Sequence, residues 1–290
     1  MYPRAFEYHV ARSVEDAVAM LSRYGDEARV LAGGQSLIPL MKLRLASPSH
    51  LIDIGRVTEL RAIAHGSGSL SLGALATHAS VLESRFVRGV FPMIADAVGV
   101  IGDTQVRNWG TVGGALAEAD PAGDWGAVAL ALKARLRCVS PRGERLLDAD
   151  GFFTDAYTTR LAPDELIVEI LFPEPTEGTG GAYLKLERRA GDFAVVGVAV
   201  QLSLAEQFIC QDISIALTAA GLTPLRADAA ADFLRGKELR RDYIDEAARW
   251  VASDAEPATD IRGSEEYKRA AFAELFKQAV EIALRRAHGS

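Results

Sequence analysis

IGDTQVRNWGTVGGALAEADPAGD, residues 101–124, decides how this chain is read. Its glycines Gly110, Gly113 and Gly114 carry no Cβ, so the backbone there is free to take positive φ and to approach a ligand closely, leaving amide N–H groups to point outward. Such a loop suits an anion, above all a diphosphate. Thr111 adds a hydroxyl and Arg107 a countercharge. Asp120 and Asp124 offer carboxylates for ribose hydroxyls or, in the plainer reading, N-caps for a helix starting near Trp125. For Asp120 the cap is preferred, since Asp120-Pro121 is a helix-entry dipeptide. A second loop of the same kind, AGGQS at residues 32–36, follows the apolar run 28–31 and precedes a helical pattern. One glycine pair alone reads as a turn. Two such loops point to one dinucleotide gripped from two sides.

The flanking sequence supplies a scaffold for both loops. Residues 6–10 read as a strand; Ser13 caps a helix with the apolar face Val14, Ala17, Val18 and Leu21, and Gly25 ends it. Strand 28–31, the AGGQS loop, a short helix marked by Leu37, Leu40 and Met41, and strand 50–54 complete a β-α-β-α-β unit. Ligands gather at the carboxyl ends of strands in such units, and AGGQS lies there with Ser36 near a helix N-terminus. From Arg56 the pattern changes. Residues 61–64 and 70–72 flank the hairpin signal His65-Gly66-Ser67-Gly68-Ser69, Thr77 caps a helix running to Ser84, and an apolar helix at 92–98 delivers the chain into the central glycine loop. A helix at 125–132, a hairpin formed by 134–139 and 144–147, and a strand at 165–172 ended by Pro173 suggest a mixed sheet with helices.

Residues 173–181 hold two prolines and three glycines, which places the main boundary there. The expected division is 1–177, with subdomains of about 1–55 and 56–177, followed by 178–290. Beyond the boundary, runs 182–186, 194–204 and 209–219 read as three strands of an antiparallel sheet, and 227–234, 242–253 and 265–286 as helices. The fold class is α+β.

Composition narrows the function. The formal charge of -7 and a pI near 5.4, with no block of Lys or Arg, argue against nucleic acid and anionic membranes as partners. Cys138 and Cys210 lack the companions a zinc or iron–sulfur site requires and read as buried reduced thiols. His9, His50, His65, His78 and His288 show no metal-ligand spacing, so no metal is assigned. Ser36 has no histidine partner at a spacing that suggests nucleophilic catalysis. No apolar run approaches the ~18 residues of a membrane span, and the N-terminus has no signal-peptide pattern, so a soluble, cytoplasmic protein is expected.

In order along the chain, AGGQS (32–36), QVRNWGTVGG (105–114), DPAGD (120–124), YLKLERRAGDFA (183–194) and DIRGSEEYKRA (260–270) resemble the FAD-binding medium subunit of molybdenum hydroxylases, of the carbon monoxide dehydrogenase type. The resemblance covers essentially the whole chain. It implies a vanillyl-alcohol-oxidase-like FAD-binding fold of two subdomains, then an antiparallel three-stranded sheet with a helical bundle. It also implies a small [2Fe–2S] partner subunit and a large molybdopterin partner subunit in a dimer of heterotrimers, with this chain as the flavin part that passes electrons to an external acceptor. Carried over by position, Ala32, Gly33, Gly34, Gln35, Ser36 and Leu37 hold the diphosphate from one side and Thr111, Gly113, Gly114 and Ala115 from the other. Ile101 packs against the flavin, Asp124 contacts ribose, Ile167 offers a backbone contact near the ring, and Lys185 is a cation at the ring's electron-rich edge. Tyr183 matches a position that shields a ring face. From its neighbours alone, Lys185 could equally point to solvent by strand alternation. Gln35 stands where some members have His, Ala115 where many have Asn, Ser or Asp, and Glu118 where His is common. Two rival readings are a free-standing flavin oxidase and a non-catalytic scaffold whose glycine loops are only turns.

Overall fold

A computed structural model describes residues 2–205 and 209–289. The β-α-β-α-β unit is present: β1 (Glu7–Val10), α1 (Val14–Tyr24), β2 (Ala28–Leu31), α2 (Leu37–Leu43) and β3 (His50–Asp53) build a parallel three-stranded sheet in the order β1-β3-β2. Ser13 accepts the amide of Asp16 at 3.2 Å, and Gly25 at φ 52° stops α1. The face Val14, Ala17, Val18 and Leu21 is buried against Ile52 and Ile54. Both helix ends and the apolar period are therefore local instructions in the sequence.

The middle region has β4 (Ile63–Gly66) and β5 (Ser69–Gly73), then α3 (His78–Glu83), α4 (Arg85–Val90), α5 (Pro92–Gly99), α6 (Thr104–Trp109), α7 (Val112–Glu118) and α8 (Asp124–Ala131). The strands β6 (Arg135–Ser140), β7 (Gly143–Asp148), the small pair β8 (Phe153–Asp155) and β9 (Thr158–Thr159), and β10 (Leu166–Pro173) follow. Five of these strands form one sheet in the order β4-β5-β10-β6-β7, and every pairing in it is antiparallel, not mixed. Mixing would need a crossover between neighbours. Instead both hairpins close locally, the first through Ser67 and Gly68 at φ 52° and 73°, the positive values that a two-residue hairpin turn demands.

The stretch read as a glycine loop is two short helices. Asp103 accepts the amide of Val106 at 2.8 Å and starts α6; Thr111 accepts the amide of Gly114 at 3.1 Å and starts α7. Gly110, Gly113 and Gly114 are absent from the positive-φ positions, which include Gly34 and Gly102 instead. The role of these glycines is close approach. A Cβ on Gly113 would lie 2.5 Å from the Ala74 Cβ, and one on Gly33 would lie 2.0 Å from the Trp109 carbonyl oxygen. The 32–36 loop thus packs directly on the turn between α6 and α7.

In the C-terminal part the three expected strands are β11 (Thr179–Leu186), β12 (Val196–Leu204) and β13 (Cys210–Thr218), and a two-residue β14 (Leu225–Arg226) extends the antiparallel sheet to four. Helices α9 (Asp228–Leu234), α10 (Arg241–Asp254) and α11 (Glu265–His288) cover it. α11 lies so close to β11 that a Cβ on Gly180 would meet the Ala283 carbonyl oxygen at 2.0 Å. The core of the middle region also takes in Tyr183, Ala199 and Ala216, so the last sheet closes over α8 and α5. No helix among the described residues is long and apolar enough to cross a membrane.

Candidate dinucleotide site

The two glycine segments meet. His78 donates its amide to the Gly110 carbonyl at 3.0 Å, and the amides of Val112 and Gly113 bond to the carbonyls of Ala76 and Ala74, each at 3.0 Å. These bonds pin the α6–α7 turn against the strand-to-helix connection at residues 74–77. The 32–36 loop closes the other side. Its chain reverses at Gly34, φ 73°, and Ile38 donates back to the Gly34 carbonyl at 3.0 Å. Among the described residues, no acceptor is found for the amides of Gly33, Gly34, Gln35, Ser36 or Leu37. Five consecutive unpaired donors on a curved backbone are an arrangement of the kind that suits an anion.

The second segment contributes differently from the sequence expectation. The amides of Val112, Gly113, Gly114 and Ala115 are already spoken for within the protein. What remains is the Thr111 hydroxyl, whose oxygen accepts from Gly114 while its proton is free to donate, and the bare surface of Gly114. A Cβ there would meet only the Thr111 Oγ1 at 2.7 Å and the Ala32 methyl at 3.8 Å. The clamp is asymmetric: amides from one loop, a hydroxyl and space from the other.

Between the loops lies a cavity of about 120 Å³ lined by Ala32, Gly33, Gly34, Gln35, Ser36, Leu37, Thr111, Gly114 and Ala115 among others. It adjoins a larger groove of about 390 Å³, to which Ala32, Leu37 and Gly114 also belong, and which Gly113 and Ile167 line together with Leu161, Pro163 and Leu166. The groove, not the cavity alone, has the volume of a small-molecule or cofactor site. A long, thin ligand with a charged middle fits the pair: anion in the amide-rich cavity, one end in the apolar groove.

Ile101, Asp124 and Lys185 line neither cavity. Asp124 and Lys185 gather in a buried polar cluster with Tyr183, while Ile101 packs against the core of the middle region. Lys185, its side chain 1% exposed, donates to the Val100 carbonyl at 2.9 Å and to Asp124 at 3.2 Å, with Glu187 at 3.4 Å. Tyr183 donates to Asp124 at 2.6 Å and contacts Thr218 at 3.3 Å. Burial pushes the Asp124 carboxyl up against the opposing pull of Lys185, and burial followed by the Asp124 charge lifts the Tyr183 phenol well above its usual value. Strand alternation does not send Lys185 to solvent, because α8 and the end of α5 cover that face of β11. Ile167 sits in the groove and Lys185 in this cluster, so the structure does not bring together the two residues expected near one ring.

Other expectations are corrected. Arg107 does not line the cavity between the loops; it donates to the carbonyls of Ile101 and Gly102, each at 3.0 Å. Asp120 caps a turn and not the helix: it accepts from the Ala122 amide at 2.9 Å, while Gly123 occupies the N-cap of α8. Gln35 folds onto its own loop, donating to the Gly33 carbonyl at 3.2 Å. Two residues of the cavity wall escaped sequence reasoning as site candidates. His78 is buried in it, accepts the Trp125 indole N–H through Nδ1 at 3.2 Å, and so carries its own proton on Nε2. Burial, helped by the Arg107 charge, holds its pKa down at about 4. Glu118 lines both cavities, and burial followed by the Asp120 charge raises its carboxyl. For His78 no signal in the sequence marks the site; for Glu118 the substitution of a family histidine did.

Comparison with known proteins agrees along the whole length. The family model described as the FAD binding domain in molybdopterin dehydrogenase matches residues 4–175, and that of the CO dehydrogenase flavoprotein C-terminal domain matches residues 181–283. The carbon monoxide dehydrogenase medium chain of Hydrogenophaga pseudoflava is 41% identical over 283 residues, 98% of each chain. The glyceraldehyde dehydrogenase medium chain of Sulfolobus acidocaldarius is 39% identical over 269 residues, 93% of this chain and 95% of that one. The solved structure of the Hydrogenophaga pseudoflava carbon monoxide dehydrogenase, in a form lacking the Mo-pyranopterin moiety, matches with a TM-score of 0.96 at 42% identity, covering 99% of both chains.

Proposed function

Because this chain belongs to the FAD-binding medium subunits of molybdenum hydroxylases, we propose that it holds one non-covalent FAD across the two-loop clamp and passes electrons from partner iron–sulfur clusters to an external acceptor. The observation that carries the reading is the row of unpaired amides from Gly33 to Leu37 facing Thr111 and the bare Gly114. Those amides and the Thr111 hydroxyl hold the diphosphate, and Ala32 and Ala115 keep the walls low on either side. The apolar groove past Gly113 and Ile167 takes the adenosine end, where Glu118 offers a carboxyl to hydroxyl or amino groups. Ile101, Asp124, Tyr183 and Lys185, outside both cavities, would stand toward its ring end.

When bound, FAD supplies the electron-carrying chemistry, accepting and releasing electrons one or two at a time. The chain's residues supply position and field. Asp124 and the Val100 carbonyl hold the Lys185 ammonium in place in a water-poor setting, from which it would favour negative charge on a ring bound beside it. His78, neutral over the ordinary pH range, presents Nε2–H without competing for protons.

The assembly we propose is a dimer of heterotrimers with a small [2Fe–2S] chain and a large molybdopterin chain, in the cytoplasm. The support is the naming of full-length relatives as medium chains of dehydrogenases. The related names differ in substrate, carbon monoxide in one and glyceraldehyde in the other, although the medium chains are alike. Substrate choice therefore belongs to the partner. We also propose the division 1–177 and 178–290, supported by the break between the end of β10 at Pro173 and the start of β11 at Thr179. The test is to purify the tagged chain from its own cells and assay flavin, iron and molybdenum, then repeat with the chain expressed alone. Co-purified metals with FAD at one per chain, and FAD without substrate turnover in the isolated chain, are expected. Turnover by the chain alone, or a flavin that stays attached through acid precipitation, overturns the reading in favour of a free-standing oxidase.

A further inference from the structure

The three-stranded sheet carries a second feature, at the opposite end of its strands from the 32–36 loop. β1 and β3 pair in parallel with Glu7 opposite His50, and His9, two residues on, shares the face of Glu7. Three ligand atoms converge there. His9 Nε2 and His50 Nδ1 stand 3.1 Å apart, and the Glu7 carboxylate oxygen lies 3.5 Å from His50 Nδ1 and 3.8 Å from His9 Nε2. A tetrahedral ion with bonds of about 2.0–2.1 Å has ligand atoms about 3.4 Å apart. The three separations straddle that value, so these atoms outline one face of a tetrahedron.

Two further contacts prepare the imidazoles. The ring of Tyr24, from the end of α1, stacks on His50 at 3.9 Å between centroids and on His9 at 4.8 Å, with interplanar angles of 17° and 23°. That fixes both ring planes. On its far side, His50 Nε2 faces the Glu27 carboxylate at 3.9 Å. An imidazole that binds a metal through one nitrogen commonly directs the other at a carboxylate, which selects the tautomer with its lone pair on the metal side. Both rings are largely buried, whereas the Glu7 side chain is 72% exposed, so the fourth position opens to water.

We propose that Glu7, His9 and His50 form a binding site for a divalent transition-metal ion of the Zn²⁺ class, with water as fourth ligand. Two nitrogen ligands and one carboxylate suit zinc and disfavour calcium or magnesium, which prefer oxygen alone. The ion ties β1 to β3. Since β1 is an edge strand held on one side only, a link there stabilises the N-terminal strand and not the flavin clamp.

The site was invisible at sequence level because parallel pairing, not spacing, joins residues separated by more than forty positions. Its test uses the tag-free full chain, dialysed against a chelator and titrated calorimetrically with ZnCl₂ in a non-coordinating buffer. One site with a dissociation constant in the micromolar range or below is expected, with a higher Tm in the metal-bound form. Glu7→Gln, His9→Gln and His50→Gln should each weaken it about tenfold or more, while His65→Gln leaves it unchanged. Should a histidine variant misfold by circular dichroism, Glu7→Gln decides, since that side chain is exposed. Absence of a one-to-one site, or Zn²⁺ bound equally well by Glu7→Gln, overturns the proposal.

Discussion

Three glycines near the clamp look alike in the sequence and differ in what a side chain would meet. At Gly34 the backbone is at φ 73° and a Cβ would lie 2.7 Å from the Ile38 Cδ1, so Gly34→Val meets both strain and crowding in the loop that offers the amides. The left-handed conformation alone costs a β-branched residue about 1–2 kcal/mol. At Gly114 a Val disturbs the Thr111 cap, itself about 1 kcal/mol, and projects toward Ala32 across the cavity. Gly113 is different: its missing side chain faces Ala74 backbone and methyl, so a Val there pushes α7 off the sheet. The expected outcome is that Gly34→Val and Gly114→Val remain folded and lose FAD, whereas Gly113→Val is deficient in folding itself. FAD stoichiometry beside circular dichroism separates the two effects. A folded Gly114→Val variant that keeps full flavin shows that the diphosphate does not pass over that residue.

At the level of elements, His78 joins four helices: it is the first residue of α3, its amide holds the α6–α7 turn, and its ring accepts from Trp125 on α8. With a folded pKa of about 4 against an ordinary 6.5, the unfolded chain binds a proton that the folded chain refuses. Stability from this group is complete above about pH 6.5 and falls as the pH drops toward 4, by about 3 kcal/mol at most. Replacing it by Gln, which can still accept from Trp125, should flatten the dependence of Tm on pH between 4 and 6.5; an unchanged slope means another group carries it. Such joints mark the limit of what the sequence conveys. Ser13, Thr77 and the Ser67-Gly68 turn act on neighbours a few residues away, and all three were legible. The split of 101–124 into α6 and α7 was not, because Asp103 and Thr111 cap helices too short to show an apolar period. Nor were the pairing of His9 with His50 or the turning of Arg107 onto Ile101 and Gly102, since each depends on where distant backbone ends up. In the clamp, motif chemistry treats both loops as donors, yet only the 33–37 amides stay without an acceptor, while tertiary hydrogen bonds consume those of the second loop.

Across the whole molecule, the C-terminal sheet is bound to the rest through charge as well as shared core. Arg286, near the end of α11, donates to Asp96 on α5 at 2.9 Å and to the Gly181 carbonyl at 2.7 Å. Deeper in, Lys185 on β11 reaches Asp124 at the start of α8 and the carbonyl of Val100 just past α5. This second contact is buried, so its energetics differ from those of a surface pair such as Arg142–Asp164, which solvent screens. Lys185→Met strands Asp124 and Glu187 without their cation, and losing one member of a buried pair typically costs about 3–5 kcal/mol. A large fall in Tm is expected. Lys185→Met combined with Asp124→Asn should recover part of it, because the neutral amide still accepts from Tyr183 and Glu187 alone is left without the cation. If the ring end of FAD lies beside this cluster, the same Lys185→Met change, in whatever fraction folds, lowers the flavin's reduction potential by removing a positive charge. Arg142→Met, at a distant surface pair, leaves both Tm and potential nearly unchanged. A Lys185→Met protein as stable as Arg142→Met denies the cluster its role as the joint between the two parts, and an unaltered potential moves the ring away from Lys185.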